Sequence, residues 1–119
     1  MGKRVQRTLH HGKEILFADF SNTGERESLE TWDELRQEIL KEPGAVLVLV
    51  DATNTKMSLA IMNKARDVAA TLKSIPGTRV AFAGMTTLQR SAAQVHAKTM
   101  HLDVYYCAKL EEGRDWLVK

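Results

Sequence analysis

Residues Ala45 to Val50 read AVLVLV, an unbroken apolar run set between Pro43-Gly44 and Asp51. The run is rich in β-branched residues and too short for a typical helix. A strand with one wet face would alternate apolar and polar residues, and this one does not. It therefore needs cover on both faces, which is the situation of a central strand in a parallel sheet flanked by helices. That demand places the chain in the α/β class before anything else is read.

Other segments supply the neighbours that such a strand requires. Val80 to Gly84 (VAFAG) follows the breaker Pro76-Gly77, and Asp103 to Cys107 (DVYYC) is more polar, as suits a strand nearer an edge. Ile15 to Phe20 (ILFADF) makes a fourth strand and Arg4 to Leu9 a fifth, with His11-Gly12 as a hairpin turn between them because Gly tolerates positive φ. Helices are expected between the strands. Over 28–41, Leu29, Trp32, Leu35, Ile39 and Leu40 recur at near-helical spacing, with Ser28 as an N-cap candidate. Over 58–74, Ile61, Ala65, Val68 and Leu72 form one stripe, and over 86–100 Leu88, Ala92, Val95 and Thr99 form another. A short last helix, 110–118, brings Leu110, Trp116 and Leu117 to close the core. The expected fold is α/β: a mostly parallel sheet of about five strands, an N-terminal β-hairpin followed by β-α repeats with right-handed crossovers, flanked by about four helices.

A length of 119 residues suits one domain over 1–119, with 44% hydrophobic and 27% charged residues typical of a globular chain. The single cysteine, Cys107, cannot form an internal disulfide, and no apolar run reaches the ~18–20 residues of a membrane span. A cytoplasmic location is the expectation. The formal charge of +2 conceals two opposed regions. From Glu25 to Glu42 seven acids face three bases, a net −4, whereas from Lys56 to His101 seven bases face Asp67 alone, a net +6. Such a basic half could meet an acidic partner or an anionic surface, and the acidic helix of one subunit could meet the basic helices of another in a homodimer. Aromatic residues are only 6% and Tyr105 and Tyr106 are adjacent, so they point to opposite faces of a strand; nucleic-acid binding is disfavoured.

Catalytic motifs are not found. There is no Gly-rich phosphate loop and no Gly-Lys-Ser/Thr, which argues against nucleotide binding of the Walker or Rossmann kind. His96 and His101 are five residues apart, off the i, i+4 spacing of a helical ligand pair, and His10 and His11 read as turn residues, so neither a metal nor any other cofactor is expected. Asp19, in an apolar strand, must either face solvent or find a donor. The best functional candidate is the loop after the central strand. It gathers Asp51, Thr53, Thr55 and Ser58 where open parallel sheets bind ligands, ahead of a helix whose N-terminus favours an anion. Ser58 is an N-cap candidate there, and any of the three hydroxyls is a phosphorylation candidate. Met57, Leu59, Ile61, Met62 and Met85 exceed what one helical stripe needs, so Met57, Leu59, Met62 and Met85 are candidates to line an apolar pocket.

The segment AVLVLVDATNTKMS, with two strands before it and the closing LEEGRDWLVK, resembles the STAS and SpoIIAA-like domains of bacteria, one-domain proteins related in fold to anti-sigma-factor antagonists. The resemblance implies a non-enzymatic regulatory or protein-interaction module. In the antagonists, the equivalent loop carries an Asp-Ser-Ser-Gly-like segment whose serine is phosphorylated by a partner kinase; here Leu59 follows Ser58. The nearer resemblance is to the uncharacterised SpoIIAA-like proteins, whose fold is similar to that of CRAL-TRIO lipid carriers. This implies an alternative role, carrying or sensing a small nonpolar ligand or lipid with peripheral membrane association.

Overall fold

A computed structural model describes residues 4–56 and 58–119, with the backbone alone at positions 96, 97, 99 and 100. Among the described residues, five strands and four helices follow in the order β1 (Val5–His10), β2 (Lys13–Asp19), α1 (Glu25–Leu40), β3 (Leu47–Asp51), α2 (Leu59–Lys73), β4 (Arg79–Ala83), α3 (Thr87–Met100), β5 (Asp103–Cys107) and α4 (Leu110–Leu117). The sheet order is β1-β2-β3-β4-β5, antiparallel between β1 and β2 and parallel thereafter. The AVLVLV run thus supplies the middle strand, with β2 and β4 hydrogen-bonded on either side.

Period-2 alternation sorts the sheet into two faces. Leu16, Ala18, Val48, Val50 and Val80 form one core with Trp32, Leu35 and Ile39 of α1 and Ile61, Val68 and Leu72 of α2. Ile15, Leu49 and Ala81 form the other with Leu117 of α4, and Phe17, Leu47, Leu110 and Trp116 pack around it. Strands laid down in chain order through right-handed crossovers send α1, α2 and α3 to the same face. The opposite face is left to α4, which approaches closely through Gly113. A Cβ there would stand 2.8 Å from Leu49 Cδ1 and 3.2 Å from Ala81 Cβ.

Two expectations from periodicity are corrected. Ser28 does not cap α1: the helix begins a turn earlier, Gly24 is its N-cap, and Ser28 is fully buried inside it. The acids Glu25 and Glu27 in that extra turn suit the positive end of the helix dipole. In α3, the stripe through Leu88 and Val95 is not buried; these side chains are 82% and 69% exposed. The helix stands off the sheet, so the apolar spacing is present without the burial it usually signals. Leu40 of α1 is exposed for a simpler reason, lying at the last helical position before Lys41.

Opposed charges meet within the chain. Arg7 of β1 pairs with Glu14, Glu38 and Glu42, Arg4 with Glu27, and Lys64 of α2 with Asp33 of α1 at 2.9 Å. Much of the acidic helix is therefore matched by β1 and α2 of the same molecule. Asp19 finds donors in the Ser21 amide (2.9 Å) and hydroxyl (2.5 Å).

Candidate functional site

The loop after β3 is held by its own polar groups. The Asp51 carboxylate accepts the Thr53 amide at 3.0 Å, closing an Asx turn. Thr55 Oγ1 donates to the Phe20 carbonyl at 2.7 Å, and Ser58 Oγ accepts the Ile61 amide at 3.2 Å as N-cap of α2. Asn22 and Asn54, both at positive φ, join the β2–α1 and β3–α2 loops through a 2.8 Å side-chain bond. Gln89 of α3 donates to the Thr55 carbonyl at 3.0 Å and accepts the Thr86 amide, tying the start of α3 to the same loop. Asp51, at the end of β3, and Thr53, Thr55 and Ser58, between β3 and α2, thus follow one another closely, and three of them make side-chain hydrogen bonds there.

Beside this loop lies an apolar cavity of about 280 Å³ between the α1/α2 face of the sheet and α3. Val50, Val80, Phe82 and Val104 of the strands line it, Trp32 and Leu35 close it from α1, and Ala92 and Ala93 present small side chains from α3. Its size is near the lower end of the ~300–1,000 Å³ usual for small-molecule sites. An apolar cavity of ~150 Å³ can take up benzene, so this one has room for roughly eight to twelve carbon atoms. It exists because α3 carries alanines where α1 carries Trp32, Leu35 and Ile39: helix and sheet are held apart without side chains to fill the space.

Met62 and Met85 line this cavity, whereas Leu59 is 73% exposed and is not among the lining residues. Met57 lies outside the described residues. One polar group in the wall is unusual. Ser28 Oγ is fully buried and has no hydrogen-bond partner among the described residues, in a position where an unpaired hydroxyl costs free energy. Tyr106, stacked on Phe82 at 5.7 Å, also lines the cavity, and burial pushes its phenol up to about 12 against the opposing influence of Arg90. The neutral phenol is then a hydrogen-bond donor across the physiological range.

Sequence reasoning missed Ser28 as a wall residue because it reads as a helix cap; the signal was its i, i+4, i+7, i+11 spacing with Trp32, Leu35 and Ile39, which places it on the buried stripe of α1. It also missed the juxtaposition of His10, His11 and Asp115, whose ligand atoms lie within 4.8 Å of one another on the surface near α4. Cys107 is buried, and desolvation together with Glu112 pushes its thiol up, so its resting form is the thiol rather than the nucleophilic thiolate. Among the described residues, no helix is long and apolar enough to cross a membrane.

No protein-family model matches the sequence, and no curated protein is detectably similar to it. The backbone is similar to the crystal structure of an uncharacterised protein of the DUF3478 family with a SpoIIAA-like fold from Shewanella loihica PV-4. The TM-score is 0.68, with 18% identity over 95% of this chain and 91% of that one. Five strands in chain order, three crossover helices on one face and a terminal helix on the other are thus the SpoIIAA-like fold, the fold that the central strand and its loop resemble in sequence.

Proposed function

We propose that the protein is a non-catalytic binding module that holds a small apolar molecule bearing one hydrogen-bonding group, in the cavity between the sheet and α3. The observation that carries this reading is the unpaired Ser28 hydroxyl in a mostly apolar wall. A ligand chain of roughly eight to twelve carbons fills the volume, and a terminal hydroxyl or carbonyl meets Ser28. The loop hydroxyls at Thr55 and Ser58 already have partners, which favours the cavity over the loop as the ligand's seat.

Nuclear magnetic resonance titration with 1-decanol tests it. Shifts should concentrate on residues of β3, β4 and α3 facing the cavity. Ala69→Leu and Ala93→Leu, which add volume from α2 and α3, should each weaken binding about tenfold with the fold retained. Decanol affinity that ignores both substitutions would overturn the reading.

A second reading, a protein-interaction module of the anti-sigma-factor-antagonist kind, is favoured by the exposure of Leu59 at the start of α2 and of Leu88 and Met62, which line the cavity. It predicts that Leu59→Ser abolishes association with a second protein or a second copy while leaving decanol binding intact, because Leu59 is not among the residues that line the cavity.

A further inference from the structure

The β1–β2 hairpin turns on His11 and Gly12, with His10 paired to Lys13 across it. Both turn residues have positive φ, 50° at His11 and 78° at Gly12, which is the backbone of a type I′ turn. Asn-Gly is the common sequence for that turn, and histidine at the first position is unusual. The conformation has a geometric result. Along a strand, adjacent side chains point to opposite faces, but the left-handed turn swings His11 back toward His10. The two rings lie 4.3 Å apart, edge to face at 64°.

A third group arrives from the far end of the chain. Asp115 of α4 places its Oδ1 2.8 Å from His10 Nε2. One ligand atom from each of His10, His11 and Asp115 lies within 4.8 Å of the other two. In a tetrahedral zinc site with bonds of ~2.0–2.1 Å, ligand atoms stand roughly 3.3 Å apart. Side-chain rotation closes the difference, because all three groups are at the surface and His11 and Asp115 are exposed. Lys13, the nearest cation along the hairpin, directs its Nζ to the Val118 carbonyl at 3.4 Å.

We propose that His10, His11 and Asp115 form a binding site for a divalent transition metal of zinc type, with water completing the coordination. Two imidazoles and one carboxylate suit zinc, and also copper or nickel, rather than calcium or magnesium, which prefer all-oxygen sets. The site bridges the N-terminal hairpin and α4, elements otherwise far apart in sequence. Metal would therefore act as a cross-link between them and raise stability by mass action. This site is on the α4 side of the sheet and is independent of the cavity beneath α3.

Calorimetric titration of the whole chain with zinc sulfate tests the proposal. Wild type should bind one zinc ion per chain with micromolar affinity, and its Tm should rise about 5 °C at ten times the dissociation constant. His10→Ala and Asp115→Asn should each weaken zinc about tenfold or more. His11→Asn is the informative variant, because Asn-Gly preserves the type I′ turn while removing the imidazole: its metal-free Tm should be unchanged or higher and its zinc-induced shift lost. His101→Ala, remote from the cluster in sequence, should bind zinc as wild type does. Absence of zinc binding by the wild type would overturn the proposal, as would wild-type affinity in either His11→Asn or Asp115→Asn.

Discussion

Thr53 occupies the space that a side chain at Gly84 would need. A Cβ on Gly84 would lie 2.2 Å from Thr53 Oγ1 and 3.0 Å from both the Thr53 amide nitrogen and Cα, and Gly84 itself sits at φ +81°. The end of β4 and the loop after β3 are therefore packed backbone against backbone. This contact precedes Met85 and α3, so it helps to set where α3 begins and how far it stands from the sheet.

Gly84→Ala should destabilise the fold by about 2–4 kcal/mol, combining the cost of a left-handed non-Gly residue with overpacking against a backbone that cannot yield. Urea denaturation measures it. Thr53→Ala in the same background should recover only part of the loss, because the Thr53 backbone contacts remain. Full recovery would mean that neither the backbone contacts at 3.0 Å nor the left-handed φ carries a cost.

Ser28→Ala removes an unpaired buried hydroxyl and substitutes a better helix former, so it should stabilise the protein by about 1 kcal/mol. The same change should weaken decanol several-fold and leave dodecane, which has no hydroxyl, unaffected. Stability and ligand affinity thus move in opposite directions at one position. A destabilised Ser28→Ala variant would show that the hydroxyl is satisfied in solution.

Alkaline pH should reveal Tyr106. Its phenol is pushed up to about 12 in the fold, against 10.0 in an unconstrained chain, because burial disfavours the phenolate. The raised value means that the unfolded chain loses this proton first. The neutral phenol's contribution is fully present below pH 10 and is lost as pH rises toward 12. Denaturation midpoints should therefore fall over that interval, and fall less in Tyr106→Phe; equal slopes in the two proteins would contradict the assignment.

Sheet and helices were legible because the signals were local. AVLVLV reads as a strand covered on both faces, and its residues 47–50 lie in the middle strand, while Ile61, Ala65, Val68 and Leu72 align on α2. Tyr105 and Tyr106 indeed part to opposite faces, the first stacking on Trp116 and the second on Phe82. The cavity was less legible. Met62 and Met85 suggested it, but its existence depends on the distance of α3 from the sheet, which Leu88 and Val95 misreport: their spacing is that of a buried stripe. The His10–His11–Asp115 cluster was invisible for another reason. Ligand rules based on helical spacing do not cover a pair brought together by a left-handed turn, and the third member is 105 residues away.

The lopsided cover of the sheet sets an order of events. As the chain leaves the ribosome, β1 through β5 can pair in sequence and α1 and α2 can dock on their face as each emerges. Ile15, Leu49 and Ala81, all fully buried in the finished fold, have no cover until Leu117 arrives. Until then the nascent sheet presents an apolar surface of the kind that chaperones hold or neighbouring chains stick to. Stalling or truncation before Leu110 should therefore be felt as aggregation rather than as a slightly smaller protein.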